Sequence, residues 1–245
     1  MKNEIPSVEV DGQALRAEFD LLADTYYQDH KKNIAITGEE PEYFAEYKIA
    51  DLAALVCSKS LNKKNILDFG CGIGNSVPYF RKYFAESMIS CCDVSARSIE
   101  IAQTRFVGRE KYFLVDKNIH LPTASQDIIF SACVFHHIPH QQHHHWLSEL
   151  RRVTRPGGLL AIYEHNPLNP LTVHAVNTCP FDVNAKLISG RTMRHRASSS
   201  GWYDADTDYR LFFPSILRSL RPLERHLGWL VLGAQYRMTA YNGAR

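Results

Sequence analysis

The stretch ILDFGCGIGNS, residues 66–76, limits the possible folds more than any other part of the chain. An apolar run ends at Asp68, glycines follow at 70, 72 and 74, and Asn75 or Ser76 can cap a helix whose first turn tolerates Pro78. A strand that turns through glycines into a helix is the first crossover of an open α/β sheet, where ligands bind beyond the carboxyl ends of the strands. Glycine permits such a turn because no Cβ stands between backbone and ligand. Two common phosphate loops do not fit. GxGxxG counted from Gly70 needs a glycine at 75, where Asn stands, and no GK pair followed by Ser or Thr is present. An acid before the first glycine suits a ligand that lacks pyrophosphate and carries positive charge.

From residue 65 onward short apolar runs alternate with helical stretches. They read NILDF, a helix from about Val77, MISCCDV, SARSIEIAQTRF, KYFLV, DIIFSACV, the helix QQHHHWLSELRRV, the turn RPGG and the strand LLAIYEH. The tail adds a strand at TDYRLFF, a helix from Ser215 to His226 interrupted by Pro222, and a strand near GAQYRMTAY. This order predicts an α/β fold with a seven-stranded, mostly parallel, doubly wound sheet whose last strand is antiparallel. Ahead of it, AEFDLLADTYYQDH and EYFAEYKIADLAALV show helical spacing. The expectation is one domain over 1–245, with a helical lid over 1–60 and an α/β core over 61–245. RHRASSSG, residues 194–201, reads as a mobile loop.

Twenty-eight basic against 26 acidic side chains leave a formal charge of +2, far from the field of a nucleic-acid binder, so a small-molecule partner is expected. No apolar run approaches the roughly 20 residues of a bilayer span, and no secretory leader is visible, so no membrane partner and a cytoplasmic location are expected. The six cysteines form no CxxC pair, which predicts reduced thiols, with Cys91 and Cys92 filling a buried strand.

Over about residues 64–166 the chain resembles the class I S-adenosylmethionine-dependent methyltransferases, of a bacterial small-molecule type. DFGCGIGNS is similar to their first motif, MISCCDVSARSIEIAQ to the second strand and helix, YFLVDKNIHLP to the third-strand segment, and DIIFSACVFHHI with LSELRRVTRPGGLLAIYEHNP to the fourth strand, fourth helix and fifth strand. The resemblance implies a Rossmann-like methyltransferase fold, S-adenosyl-L-methionine as cofactor and S-adenosyl-L-homocysteine as product. It implies that main-chain amides around 70–74 embrace the methionine part, that Asp93 binds the ribose hydroxyls and that Asp116 meets the adenine amino group. Asp68, Gly70, Cys71, Gly72, Asn75, Val94, Lys117, Ala132 and Cys133 fall beside them as expected cofactor contacts. Tyr26 is expected at the cofactor and Tyr27 at the substrate, with ordinary packing as the alternative for both, as for Tyr43, Phe44 and Tyr47.

VFHHIPHQQHHHW, residues 134–146, holds six of the twelve histidines. His136 and His137 emerge at the end of the fourth strand, which makes His136 the candidate general base and His137 a substrate contact; His165, at the end of the fifth strand, is the second candidate base. Pro139 is expected to start the helix, with His143 bordering its buried face and His144 and His145 outside. His140, His143 and His144 stand at i, i+3, i+4, but no Cys or carboxylate accompanies them at zinc spacing, so no metal is expected. Asn166 and Asn169 offer amide groups to a substrate, and Arg191, Arg194 and Arg196 could clamp an anion. The main reading is methyl transfer to oxygen or nitrogen of a small molecule. The alternatives are a non-catalytic cofactor-binding module, a nicotinamide-dependent oxidoreductase on a related fold, and methylation of nucleic acid or protein.

Overall fold

The apolar runs become strands of one sheet: β1 (Asn65–Phe69), β2 (Met88–Asp93), β3 (Lys111–Leu114), β4 (Gln126–Ala132), β5 (Thr154–His165), β6 (Tyr203–Arg210) and β7 (Gln235–Tyr241). In the computed structural model, which describes residues 19–243, their order is β3-β2-β1-β4-β5-β7-β6. The first five strands are parallel, and β7 runs antiparallel to both β5 and β6. The seven-stranded sheet with an antiparallel last strand is therefore as expected. Strand order reverses between β1 and β4, which opens a crevice at their carboxyl ends.

Seven helices are described: α1 (Tyr26–Ile34), α2 (Pro41–Ser58), α3 (Val77–Tyr83), α4 (Ala96–Arg105), α5 (His143–Val153), α6 (Pro170–Thr178) and α7 (Gly190–Ser199). Alternation along β1 feeds two cores. Ile66 packs with Ile49, Leu52 and Val56 of α2 and with Phe80 of α3. Leu67 and Phe69 face Trp146, Leu147 and Leu150 of α5 and Met193 and Ala197 of α7. Each such side chain contributes about 1.5–3 kcal/mol when fully buried, so both faces of the sheet are held by burial. Cys91 and Cys92 are both fully buried in β2.

Several local expectations are corrected. AEFDLLADTYYQDH lies partly outside the described residues; from residue 19 it is not one helix but a helical segment at 19–22, a turn at 23–25, and then α1. Helix α2 does not ride above the sheet as a lid, because three of its residues lie in a core. RHRASSSG is not a loop: residues 194–199 complete α7, which starts where the Ser189 hydroxyl accepts the Thr192 amide at 3.2 Å. RPGG is absorbed into β5, where Gly157 N–H donates to Asn242 O at 2.7 Å beside a register shift between β4 and β5. TDYRLFF starts late and runs long, since β6 covers Tyr203–Arg210. Ser215–His226 is a 3-10 stretch that includes Pro222 but departs from helical geometry at Leu217. Pro139 precedes rather than starts the helix, which follows a 3-10 turn at His140–Gln142. Neither Asn75 nor Ser76 caps α3 through its side chain; the Asn75 carbonyl instead accepts from Arg105 Nη1 at 3.0 Å.

Candidate active site

A single cavity of about 460 Å³ opens over the β1–β4 crevice, within the range typical of small-molecule sites. One end is built by the glycine loop. Gly70 and Gly72 have φ of +76° and +51°, a region that favours glycine, and a Cβ on Gly70 would stand 2.3 Å from Val134 Cγ2. The loop amides are already engaged. Gly70 and Cys71 donate to Cys92 O at 2.8 and 3.0 Å, Gly72 to Asp93 Oδ2 at 2.8 Å, and Gly74 to Cys71 O at 3.0 Å. Four of the five amides expected to embrace a ligand thus hold the loop's own shape. Amides spent internally also leave little to hold a pyrophosphate.

Two acids, Asp68 and Asp93, adjoin this loop. Asp68 is 2% exposed, and its Oδ2 has no hydrogen-bond partner. Burial, with the Asp93 charge beside it, pushes the Asp68 carboxyl up to about 8. Asp93 closes β2, with Oδ2 on Gly72 N and Oδ1 on Ser95 N at 3.0 Å; burial raises its pKa against the opposing pull of those amides. An orphaned buried carboxyl oxygen beside a second carboxylate fits a ligand with an ammonium at one end and sugar hydroxyls next to it.

Residues 19–25 cross this end. Asp20 Oδ1 accepts the Ser95 hydroxyl at 2.6 Å and the Arg97 amide at 3.1 Å, Asp24 pairs with Arg97 at 2.7 Å, and the Phe19 ring stands edge-on to His137 at 5.0 Å. Phe19, Leu22 and Ala23 line the cavity, so the lid is this segment and α1.

The other end is built around histidines. Glu164, at the end of β5, is 1% exposed. Its Oε1 accepts the Val134 and Phe135 amides at 3.0 and 2.7 Å, while Oε2 lies 2.5 Å from His136 Nδ1. One carboxylate therefore sets both the turn after β4 and the His136 ring. Just before that turn Cys133 takes φ +59°, left-handed for a residue with a side chain, a strain of order 1–3 kcal/mol that the surrounding bonds hold in place. Asp182 approaches from the other side, with Oδ1 3.4 Å from His136 Nε2 and 3.3 Å from His137 Nε2. Burial alone would strip the His136 proton, but the two carboxylates override it and push the pKa up to about 10. Asp182 stays well below the usual carboxylate range, the bonds to His136 and His137 outweighing burial.

The expected base is corrected on this ground: His136 carries both ring protons at neutral pH and has nowhere to accept another. His165, 5.3 Å from it between ring centroids, is neutral, because burial and the His136 charge hold it at about 4. The same causes lower His137. Across the cavity His30 of α1 is also held at about 4, by burial and the nearby Lys48 charge, and its Nδ1 has no partner.

The cavity walls include Tyr26, Asp68, Gly70, Cys71, Gly72 and Asn75, and also Asp93, Val94, Asp116, Ala132 and Cys133, with His136, His137, His165 and Asn169. Tyr26 lies against Phe181, 4.7 Å between ring centroids, and so serves the histidine end. Three expected residues are not on the walls. Tyr27 faces outward and donates to Glu42 at 2.8 Å, Lys117 is exposed, and Asn166 is fully buried with its amide donating to Val231 O and Gly233 O. Asn169 lines the cavity, but its oxygen caps α6 and its nitrogen donates to Leu232 O. Arg191 and Arg194 lie outside the cavity, and Arg196 donates to His143 Nδ1 at 2.6 Å. His143 is fully buried rather than bordering, and its Nε2 meets Ile138 O at 2.9 Å. His140, His143 and His144 therefore do not converge. Among the described residues the group of donors able to converge on an ion is His136, His137 and Asp182, within 4.8 Å of one another, and here they satisfy each other as an ion cluster.

Glu164, Asp182, His30 and Lys48 were not singled out from sequence. Glu164, His30 and Lys48 stood inside the stretches LLAIYEH, AEFDLLADTYYQDH and EYFAEYKIADLAALV without a pattern to mark them.

The comparisons with known proteins agree with this geometry. Residues 67–162 match the family described as methyltransferase domain. Similar proteins include a Drosophila melanogaster tRNA N(3)-methylcytidine methyltransferase (32% identity; 50% of this chain, 40% of that one). An Azoarcus trans-aconitate 2-methyltransferase shares 27% (57% and 54%), and an uncharacterized Mycobacterium bovis methyltransferase 27% (84% and 78%). The chain thus spans about half the length of the first two. The fold is also that of a possible histamine N-methyltransferase from Thermotoga maritima, with a TM-score of 0.64 at 15% identity over 93% of this chain and 99% of that one.

Proposed function

We propose that this protein transfers a methyl group from S-adenosylmethionine to an oxygen or nitrogen atom of a small molecule held at the histidine end. The observation that carries this reading is the continuity of the cavity, which runs from Asp93 under residues 19–34 to His30, His165 and Phe181. A covered, aromatic-walled space of this size suits a small acceptor rather than a polynucleotide, in line with the formal charge of +2. The trans-aconitate relative supports the same choice, whereas the Drosophila relative is named for tRNA.

The chain's residues fit the cofactor. Asp68 Oδ2 would receive its ammonium, Asp93 its sugar hydroxyls, and the glycine loop would lie against its methionine part. When bound, the cofactor supplies a methyl already activated by a sulfonium. Phe19, Leu22 and Ala23 exclude water from the cavity, and Glu164 and Asp182 hold His136 as a fixed positive charge in its wall. His165 presents a neutral ring able to accept a hydrogen bond from an acceptor. The free thiols, and the lack among the described residues of a helix long and apolar enough to cross a membrane, support a cytoplasmic setting.

The test is incubation with methyl-labelled cofactor in separate small-molecule, tRNA and protein fractions of a cell extract. Label is expected in the small-molecule fraction. Label confined to tRNA or protein, or cofactor binding with no transfer to any fraction, would overturn the reading.

A further inference from the structure

Helix α2 carries Lys48 into the cavity wall. The side chain follows from helical spacing: Ile49, Leu52 and Val56 lock the helix against the sheet, and the turn before them points toward the crevice. Lys48 is only 8% exposed. Among the described residues no carboxylate pairs with it. Acids at the histidine end and around α2 are occupied elsewhere, Asp182 and Glu164 with His136, Glu39 with Arg221 at 2.5 Å, and Asp51 with Arg210 and Arg237, while the orphaned Asp68 oxygen belongs to the glycine-loop end. Glu224 accepts the Phe212 and Phe213 amides. Of the other cations on the wall, His136 is held by Glu164 and Asp182, and Arg221 is committed to Glu39 and lies over the Tyr43 ring at 4.4 Å. A buried, unpaired ammonium is costly, and proteins bury charge when a counter-charge completes it. The rest of this end offers His30 Nδ1, also unpartnered, and the rings of Tyr26 and Phe181.

We infer that the methyl acceptor is an organic carboxylate whose anion is recognised by Lys48, and that the methyl is delivered to a carboxylate oxygen. This rests on the methyltransferase reading above and specifies its substrate class. The step balances without a proton. The carboxylate oxygen forms a bond to the methyl carbon, the sulfur–carbon bond breaks, its electron pair returns to sulfur, and a neutral ester and thioether result. That matches a cavity whose free histidines are poor bases and whose central histidine already holds two protons. A protonated amine, by contrast, would face Lys48 with like charge and find no strong base to deprotonate it.

The test uses full-length protein saturated with S-adenosylhomocysteine, whose own binding is titrated first, so failure of the cofactor reading is seen separately. Calorimetric titration then compares benzoate, phenyl phosphate, methyl benzoate and benzylamine. Benzoate is expected to bind at least about tenfold more tightly than the ester and the amine, about 1.4 kcal/mol. Lys48→Met should erase that preference and Lys48→Arg retain most of it, with homocysteine-nucleoside binding unchanged in both. Equal binding of acid and ester, preference for the amine or for phenyl phosphate, or a preference that survives Lys48→Met would overturn the inference.

Discussion

The two ends of the cavity are built in different ways. The glycine-loop end is assembled from segments that are short-range within β1–α3 and β2–α4, and one of its two acids, Asp93, is held by backbone amides. The histidine end is assembled from the ends of β4 and β5, from Asp182 in the 3-10 turn Pro180–Asp182, and from α1 and α2, with its charges held by each other. A backbone-built site is tolerant of side-chain change but not of an added Cβ. A charge-built site fails when one partner is removed. The difference separates a binding end that many folds of this kind can share from an end that defines one acceptor.

The strongest way to break this comparison is Gly70→Ala. The positive φ and the 2.3 Å approach to Val134 predict at least about a 100-fold loss of S-adenosylhomocysteine affinity, about 2.7 kcal/mol, by calorimetry. Retained affinity would show that the loop is not what shapes this end. At the other end Glu164→Gln should cost about 3 kcal/mol in urea unfolding, the scale for breaking a buried ion pair. The pH dependence has a definite sign. His136, raised from 6.5 to about 10, contributes stability fully present below 6.5 and lost as pH rises toward 10. Glu164, lowered from 4.5, contributes stability present above 4.5 and lost in acid. The gap between wild type and variant should therefore be widest between pH 4.5 and 6.5 and narrow toward pH 10; a gap that does not change with pH would remove the charge account.

A finer probe is the protonation of Asp68. Held at about 8, it keeps its proton at neutral pH and must release it to face an ammonium. S-adenosylhomocysteine affinity should rise with pH by up to about tenfold per unit and level off near pH 8. Calorimetry in buffers of different ionisation enthalpy should show proton release that Asp68→Asn abolishes. The smallest expected effect is Tyr27→Phe, under about 0.5 kcal/mol in stability and none in binding, since its hydroxyl meets Glu42 on the outside. A large effect there would mean that the lid contacts are misassigned.

The glycine-loop end was legible in sequence because its signals are local: glycines at alternate positions, an acid closing each strand, apolar runs of strand length. What it concealed was direction, since nothing in DFGCGIG shows that the amides fold back on Cys92 and Asp93 rather than face a ligand. The histidine end resisted reading because its partners are distant in the chain. His136 looks like a base from position alone, and only Glu164 and Asp182, 28 and 46 residues away, hold it protonated at neutral pH. Two elements failed for lack of apolar signal. The buried pair Met193 and Ala197 is too sparse among Arg and Ser to reveal α7, and the half-exposed edge strand YDADTDYR shows little of the β-branched composition that marks strands.

Asp20 and Asp24 tie residues 19–25 to Ser95 and Arg97, and of these contacts the Asp24–Arg97 pair is largely exposed. Ligand exchange past residues 19–25 must part these bonds, so the pace of product escape should depend on dissolved ions. Raising salt would screen the Asp24–Arg97 attraction and hasten departure of the spent nucleoside in stopped-flow measurements, while the buried cluster at the far end keeps its grip.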